Sequence, residues 1–362
     1  MARGKRAFIF GAGFSKPAGM PLATEMLPLL AQKVRLPEMR EWIDGLRQRL
    51  EWLSEAERQG GSFALNIEEV FHYAHFDIEV HRLRQHLSPV GRQDGPGTAW
   101  KVAESIEFWL MRLEDALRDV ILEKQVQSDL MPINRWAETV DAHDSVLTFN
   151  YDTLVERALA GAGKTWNHGT GREGDDGIAV FKLHGSIDWI VAHRREGSFS
   201  KLELLFDKPN TNRGKNDTGS VEDDCCLWRC RTPEQLRKWI SGRDLQLVPE
   251  GAPPRTVGIA GLGAYKQLHQ IPGLGVVWTR GMRALYEADL AVVVGFSMSD
   301  FDTMAQLQFA EIARARRDAG HPLNVIIVDP GVTDRVKGRF KRVLRSVEFM
   351  DSKHETVDWN RW

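Results

Sequence analysis

The stretch that decides the fold is AFIFGAGFS, at residues 7–15. Four apolar residues lead directly into a glycine-containing loop, and an apolar pattern with helical spacing follows from Leu22 to about Val34. This order predicts a buried strand, a tight loop and a helix. The backbone N–H groups of such a loop, together with the positive end of a helix dipole, suit a diphosphate. We therefore expect residues 7–24 to hold a nucleotide.

The glycine loop alone does not identify that nucleotide. Gly11 and Gly13 match the start of the dinucleotide fingerprint GxGxxG, but Lys16 stands where the fingerprint has its third glycine. This difference argues against the usual hydride-transferring enzymes, and a plain turn after a strand is the other interpretation. The later motifs must therefore identify the ligand.

Composition and charge exclude several classes of protein. The chain has 362 residues, 42% of them hydrophobic, which is enough for one large α/β domain with additions. The formal net charge is −2, so direct nucleic-acid binding is not expected. The cysteines are Cys225, Cys226 and Cys230, which lack the paired CxxC units of a structural zinc site, so no metal is expected. Three cysteines are too few for a disulfide framework, so we expect the protein to reside in a reducing compartment.

No apolar run approaches the ~20 residues of a membrane span, and the run behind the basic start is too short for a signal peptide. We therefore expect a cytoplasmic protein without a membrane partner.

The strand and helix patterns are typical of a Rossmann-like α/β fold with a doubly wound parallel sheet. After the first strand, apolar runs predict strands at Ser145–Phe149, Ile178–Leu183, Leu245–Pro249, Ala288–Gly295 and Asn324–Pro330. Residues 35–137 are interpreted as a large helical insertion. Residues 188–242 are expected to form a small, irregular and flexible insertion with at most short strands. The nucleotide-binding core would then comprise residues 1–34, 138–187 and 243–362.

Polar or glycine residues follow the carboxyl end of almost every predicted core strand. In a doubly wound sheet the ligand lies at this edge. The residues are Gly11, Ala12, Gly13, Asn150, Asp152, His184, Gly295, Ser297 and Asp329. Strands that served only the core would not be expected to end in this way.

Three of these residues have side chains suited to catalysis. His184 can act as a general base near neutral pH. Asn150 can hold a ribose hydroxyl or a water, and Asp152 can bind a ribose or place negative charge near a developing cation. A packing role for the histidine and helix capping by Asn150 or Asp152 are the structural alternatives. Asp329 fits a ribose-hydroxyl acceptor, or else a turn before Pro330.

Residues 158–165, ALAGAGKT, match a relaxed phosphate-binding loop. A working loop of that kind follows a strand and opens a helix. This segment instead follows the helix predicted after Asp152. We interpret it as a helix C-terminus and not as an ATP site.

Taken together, the motifs resemble the sirtuin superfamily. The resemblance rests on GAGFS at 11–15 with GMP at 19–21, TFNYD at 148–152, LHG at 183–185 and GFS at 295–297. It implies a nucleotide site with contacts from Gly11, Ala12, Gly13, Ser15, Pro21, Thr148, Gly295 and Ser297. From their places in the chain, Thr24 and Asp329 are expected to contact the nucleotide as well. The resemblance also implies catalytic positions at Asn150 and His184, beside which we place Asp152.

The chain departs from protein-deacylating sirtuins, which carry a zinc ribbon of two CxxC pairs after the histidine. Its segments NIEE at 66–69, FKLHGSIDW at 181–189 and GFSMSD at 295–300 resemble bacterial sirtuin-like domains of antiphage defence systems. That resemblance implies NAD⁺ as substrate and hydrolysis to nicotinamide and ADP-ribose, which would deplete cellular NAD when the enzyme is triggered.

Such an activity would need restraint. We expect a homo-oligomer and a separately encoded trigger or regulator, of the ATPase, helicase or Argonaute type that would fit the family. The helical insertion and residues 207–224 are candidates for gating or oligomer contacts. Two alternatives stay open: an NAD-dependent protein deacylase and a non-catalytic sensor of NAD or ADP-ribose.

Overall fold

The apolar run at residues 7–10 lies in the central part of a seven-stranded parallel sheet. The computed structural model describes residues 4–34, 36–55, 67–87, 97–169, 177–193, 225–229, 255–259, 273–300 and 302–362. Over these residues the chain is an α/β protein whose sheet is flanked by helices, which confirms the predicted Rossmann-like, doubly wound class. A second sheet has three antiparallel strands.

The described strands are numbered in chain order: β1 (Arg6–Phe10), β2 (Ser145–Thr148), β3 (Trp166–Asn167), β4 (Ile178–Lys182), β5 (Gly185–His193), β6 (Cys225–Arg229), β7 (Arg255–Ile259), β8 (Leu290–Val294), β9 (Asn324–Val328) and β10 (Glu348–Met350). The described helices are α1 (Ala12–Ser15), α2 (Ala23–Lys33), α3 (Pro37–Glu55), α4 (Ile67–Leu87), α5 (Gly97–Gln127), α6 (Met131–Thr139), α7 (Leu154–Gly161), α8 (Leu274–Glu287), α9 (Thr303–Asp318) and α10 (Asp334–Leu344).

Alternate residues of each strand supply the two faces of the large sheet, because side chains alternate sides along a strand. Phe8 and Phe10 of β1 belong to one core, which also contains buried residues of α2 to α7. Ala7 and Ile9 belong to the opposite core, under α8, α9 and α10. Helices α3 to α5, which lie between β1 and β2 in the chain, therefore share a core with the sheet.

The order of the large sheet is β10-β9-β8-β1-β2-β4-β3. From β1 the chain first builds outward through β2, and it later returns to the other side of β1 to build outward through β8 and β9. The loops after β1 and β8 thus leave neighbouring strands at the point where the direction of winding changes. Such a switch point is where open α/β sheets bind ligands.

The region expected to be irregular contains more regular structure than its sequence indicates. Strand β5 begins directly after His184 and extends to His193, and β6 pairs with it in antiparallel register. The helix α10 and the strand β10 were not among the predicted elements. The predicted strand at 245–249, residue 66 and the polar run 207–224 lie outside the described residues.

Candidate functional site

Three loops from adjacent strands are hydrogen-bonded to one another at the carboxyl edge of the sheet. The N–H of Gly11 donates to the carbonyl of Val294 at 3.1 Å, and that of Gly13 donates to the carbonyl of Gly295 at 2.9 Å. The Asn150 amide nitrogen donates to the Gly11 carbonyl at 2.9 Å and to Ser15 Oγ at 3.1 Å. The residues that follow β1, β2 and β8 therefore form one continuous assembly.

Glycine is required here because two backbones approach closely. A Cβ on Gly295, whose φ is +59°, would lie 2.3 Å from the Gly13 carbonyl carbon. A Cβ on Gly11 would lie 2.6 Å from the Gly295 carbonyl oxygen. Real Cβ atoms essentially never approach backbone atoms so closely. The two glycines thus permit the loops after β1 and β8 to touch.

The expectation that this loop offers unpaired N–H groups to a diphosphate is wrong for three of its residues. Gly11, Gly13 and Phe14 each donate within the protein, because the loop is bonded to β8 and closes a turn on itself. The first helix is also short, since α1 covers only Ala12–Ser15. Nucleotide contact by the loop stays a prediction, and it must involve other atoms than these three N–H groups.

Asn150 is held rigidly. It is 7% exposed, and its backbone N–H donates to Thr148 Oγ1 at 3.1 Å. Both hydrogens of its side-chain amide are directed at protein acceptors, Gly11 and Ser15. The amide oxygen is then the atom of this side chain that can accept a hydrogen bond from a ribose hydroxyl or a water.

His184 follows β4, which is the neighbour of β2 in the sheet, just as Asn150 follows β2. Thr148 pairs with Lys182 in the β2–β4 register, and each of the two site residues comes two positions later. The histidine is 3% exposed, and its ring meets the edge of the Phe149 ring at 4.9 Å. The two predicted catalytic positions therefore lie on neighbouring strand ends, as the motif order indicates.

Asp302 is a site residue that the sequence reasoning missed. Its Oδ2 lies 3.0 Å from His184 Nε2, and its Oδ1 accepts from the Ala305 N–H at 3.2 Å, capping α9. The side chain is 3% exposed. A polar residue before a helical pattern indicates an N-cap, but nothing local to residue 302 indicates a contact with a histidine 118 positions away.

Asp152 has the structural role that was the alternative to catalysis, which is to bond a backbone group at the start of a helix. Its Oδ1 accepts from the Leu154 N–H at 3.0 Å, so it caps the start of α7. Its carbonyl oxygen accepts a hydrogen bond from Lys182 Nζ. A catalytic role for the Asp152 carboxylate stays a prediction.

A buried charged cluster that was not predicted lies beside Asp152. The Lys182 side chain is fully buried, and its Nζ is 3.4 Å from Glu156 Oε1. His168 Nε2 lies 3.9 Å from the same oxygen. Because a buried ammonium is costly unless it is paired, Glu156 accounts for the presence of Lys182 at this position. The cluster holds the Asp152 carbonyl in place.

Tyr151 is a polar ring near the histidine, with its centroid 6.0 Å from that of His184. Burial raises the pKa of the Tyr151 phenol well above its ordinary value, and the nearby carboxylates Glu68, Asp302 and Glu114 raise it further. The phenol is therefore neutral at physiological pH.

The other residues predicted to contact the nucleotide differ in how far they are exposed to solvent. Ser15 and Thr148 are fully buried, whereas Thr24 in the first turn of α2 and Ser297 after β8 are exposed. Pro21 and Ala12 are half-buried. Contact of each with a nucleotide stays a prediction.

Asp329 directly follows β9 and is level with Gly11, because Val328 pairs with Val294 and Val294 with Phe10. The two residues are separated by two strand spacings, about 10 Å. Burial raises the pKa of the Asp329 carboxyl, and Asp351 raises it further.

The structure also bears on the segment at residues 158–165, on groups that could hold a metal ion and on helices that could cross a membrane. Helix α7 ends at Gly161, and Gly163 has φ +69°, so residues 158–165 form a helix C-terminus as predicted. Among the described residues there is no group of three or more His, Cys, Asp or Glu able to hold a metal ion. In the same part of the chain, every helix is too short or too polar to cross a membrane.

Comparisons with known proteins add no assignment. No family model matches the chain, and no curated protein matches it.

Proposed function

We propose that this protein is an NAD⁺ glycohydrolase, which cleaves the bond between nicotinamide and ribose. The observation that carries the proposal is a buried Asn150, hydrogen-bonded to the loop after β1, with His184 following the adjacent strand at the same carboxyl edge of the sheet. The sirtuin-like motifs supply the choice of NAD⁺ as the ligand. The glycine loop and the residues after β8 and β9 would then contact the ADP-ribose part.

The reaction converts NAD⁺ and water into nicotinamide, ADP-ribose and a proton. The glycosidic C–N bond breaks with both electrons leaving on neutral nicotinamide, so positive charge develops on the ribose, as in glycoside cleavage. Asn150 Oδ1 orients a ribose hydroxyl or the attacking water. We assign to the buried Asp152 carboxylate the role of placing negative charge near the developing cation.

His184 takes the proton from the attacking water. With Nε2 donating to Asp302, the lone pair of the neutral ring is on Nδ1, and this nitrogen accepts the proton. The carboxylate of Asp302 stabilises the imidazolium that results. The water oxygen forms the new bond to ribose, and the proton later passes to solvent.

The proposal is tested by measuring nicotinamide release from NAD⁺ by wild type, His184→Ala and Asn150→Ala. We expect each substitution to lower the rate by at least about 10²-fold, because general-base catalysis and orientation each contribute that much or more. His321→Ala and Asn360→Ala are matched controls, since both residues are exposed. Full activity in either site variant would refute the assignment.

Regulation and the alternative functions are tested in the same assay. We propose that a homo-oligomer is restrained until a separately encoded regulator acts, so wild type is assayed alone and with the products of neighbouring genes. Nicotinamide release that requires an acyl-lysine peptide would identify a deacylase instead. Binding of ADP-ribose without turnover under every condition would identify a sensor.

A further inference from the structure

The two carboxylate oxygens of Asp302 have separate partners. Oδ1 accepts from the Ala305 N–H and caps α9, whereas Oδ2 contacts His184 Nε2. The side chains of Asp302 and His184 are both nine-tenths or more buried. A helix cap needs only one oxygen, and a hydroxyl provides it equally well. The second oxygen of Asp302 is therefore not explained by the helix.

Several described residues before Asp302, and Asp302 itself, are held by contacts with the rest of the site. Phe296 stacks on Phe149 at 4.1 Å, and Met298 is fully buried with φ +49°, an uncommon conformation outside glycine. The Asp302 N–H and the Gln306 amide both donate to the Ser299 carbonyl. These contacts hold the described residues on either side of position 301, and Asp302 among them, against the rest of the site.

We propose that Asp302 is a positioning residue that holds His184 in the tautomer and ring orientation needed for the reaction. The inference rests on the proposed hydrolase function and assigns a role to a residue that the motifs did not identify. Nε2 carries the hydrogen, which it donates to Asp302 Oδ2. In this tautomer the ring carries its lone pair on Nδ1, which is the nitrogen that can take up a proton.

The charge of Asp302 has a second consequence. When His184 takes a proton, an imidazolium forms in a site from which water is largely excluded. An unpaired buried cation would be costly, and a carboxylate 3.0 Å away offsets that cost. Loss of the negative charge should therefore slow the step in which the proton is transferred, without weakening the binding of NAD⁺.

Two substitutions separate this role from the helix cap. Asp302→Ser keeps a capping oxygen for Ala305 but is too short to reach His184. Asp302→Asn keeps the shape and a capping oxygen, removes the charge and places an amide donor, instead of an acceptor, against His184 Nε2. Asp318→Asn, an exposed carboxylate at the end of the same helix, is the matched control. Because both site variants retain a cap, we expect α9 to stay folded. The buried His184 Nε2–H loses its acceptor in each variant, so we expect both melting temperatures to fall by a similar few degrees.

The experiment measures steady-state NAD⁺ hydrolysis by the full chain together with the tautomer of His184 in ¹⁵N-histidine-labelled protein. We expect kcat to fall by on the order of 10²-fold in both Asp302 variants with little change in KM, and no change in Asp318→Asn. In wild type without substrate, the His184 resonances should report hydrogen on Nε2.

Two results would overturn the positioning role alone: hydrogen on Nδ1 in wild type, or wild-type kcat in Asp302→Ser. A wild-type protein that consumes no NAD⁺, alone or with the neighbouring gene products, would overturn the hydrolase and the positioning role together.

Discussion

At the scale of single residues, the site depends on where a few buried hydrogen bonds are directed. The side-chain amide of Asn150 donates both of its hydrogens, to the Gly11 carbonyl and to Ser15 Oγ. These two bonds fix the orientation of the amide oxygen. The motif TFNYD predicts an asparagine at a strand end. Its partners could not be predicted, because they lie 139 and 135 positions away in the chain.

Ser15 offers a test of that anchoring that leaves Asn150 in place. In Ser15→Ala, one buried amide hydrogen of Asn150 loses its acceptor, so we expect the free energy of unfolding to fall by about 1–3 kcal/mol. Nicotinamide release should fall about tenfold if roughly 1.4 kcal/mol of this loss appears in the transition state. Denaturant unfolding and product release measure the two effects.

Ser346→Ala is the control for Ser15→Ala, because Ser346 is exposed. A Ser15→Ala variant with unchanged stability and unchanged rate would show that the Ser15 contact does not orient Asn150.

At the scale of elements, the contact between the loops after β1 and β8 brings the glycine loop at residues 11–15 and the His184–Asp302 pair into one assembly. Gly295 starts the segment that ends at Asp302, and it touches Gly13 directly. The glycines were predicted at strand ends, and their location is confirmed. Gly11 and Gly13 lie against the loop after β8, and Gly295 lies against the loop after β1. No local sequence pattern indicates this contact between the two loops.

Alanine substitutions at two glycines with positive φ, Gly295 and Gly320, should lower the free energy of unfolding by different amounts. Gly295→Ala places a Cβ 2.3 Å from backbone atoms, whereas Gly320→Ala, at φ +78°, places one in open space. We expect Gly320→Ala to lower the free energy of unfolding by about 1 kcal/mol, from backbone strain alone. Gly295→Ala should cost about 3 kcal/mol or more, because the loops must also separate.

Calorimetry or denaturant unfolding of the two glycine variants distinguishes these effects. Gly295→Ala should also lose ADP-ribose binding, and Gly320→Ala should keep it. Equal costs for the two substitutions would mean that the β1–β8 loop contact is not tight in solution.

At the scale of the whole molecule, the parallel sheet was predictable because its buried strands are continuous apolar runs with distinctive ends. Elements with weaker patterns were not. Helix α10 is mostly charged, with only Phe340, Val343 and Leu344 buried, and β10 has three residues, none of them fully buried. Strand β5 was missed because it follows β4 with only two residues between them.

The stability of the whole molecule should depend on pH through buried histidines. Burial lowers the pKa of His354, which is 4% exposed and lies against the Phe14 ring, below its ordinary value of 6.5. The unfolded chain then binds a proton more readily than the folded one, so stability is lost as pH falls below about 6.5. His75 acts in the same direction.

His354→Gln should therefore show a smaller loss of unfolding free energy between pH 6.5 and pH 5 than wild type, as measured by denaturant unfolding at each pH. His321→Gln, at an exposed position, should match wild type. An unchanged pH dependence in His354→Gln would show that this histidine is protonated equally in both states.

The central claim is that the strand-end assembly hydrolyses NAD⁺, and the most direct measurement is chromatographic quantification of the products. Wild type, with its regulator where one is needed, should release nicotinamide and ADP-ribose in a one-to-one ratio without any acyl-peptide. Asn150→Ala should release neither. A cyclic or acylated ribose product, or equal product release by Asn150→Ala, would contradict the account.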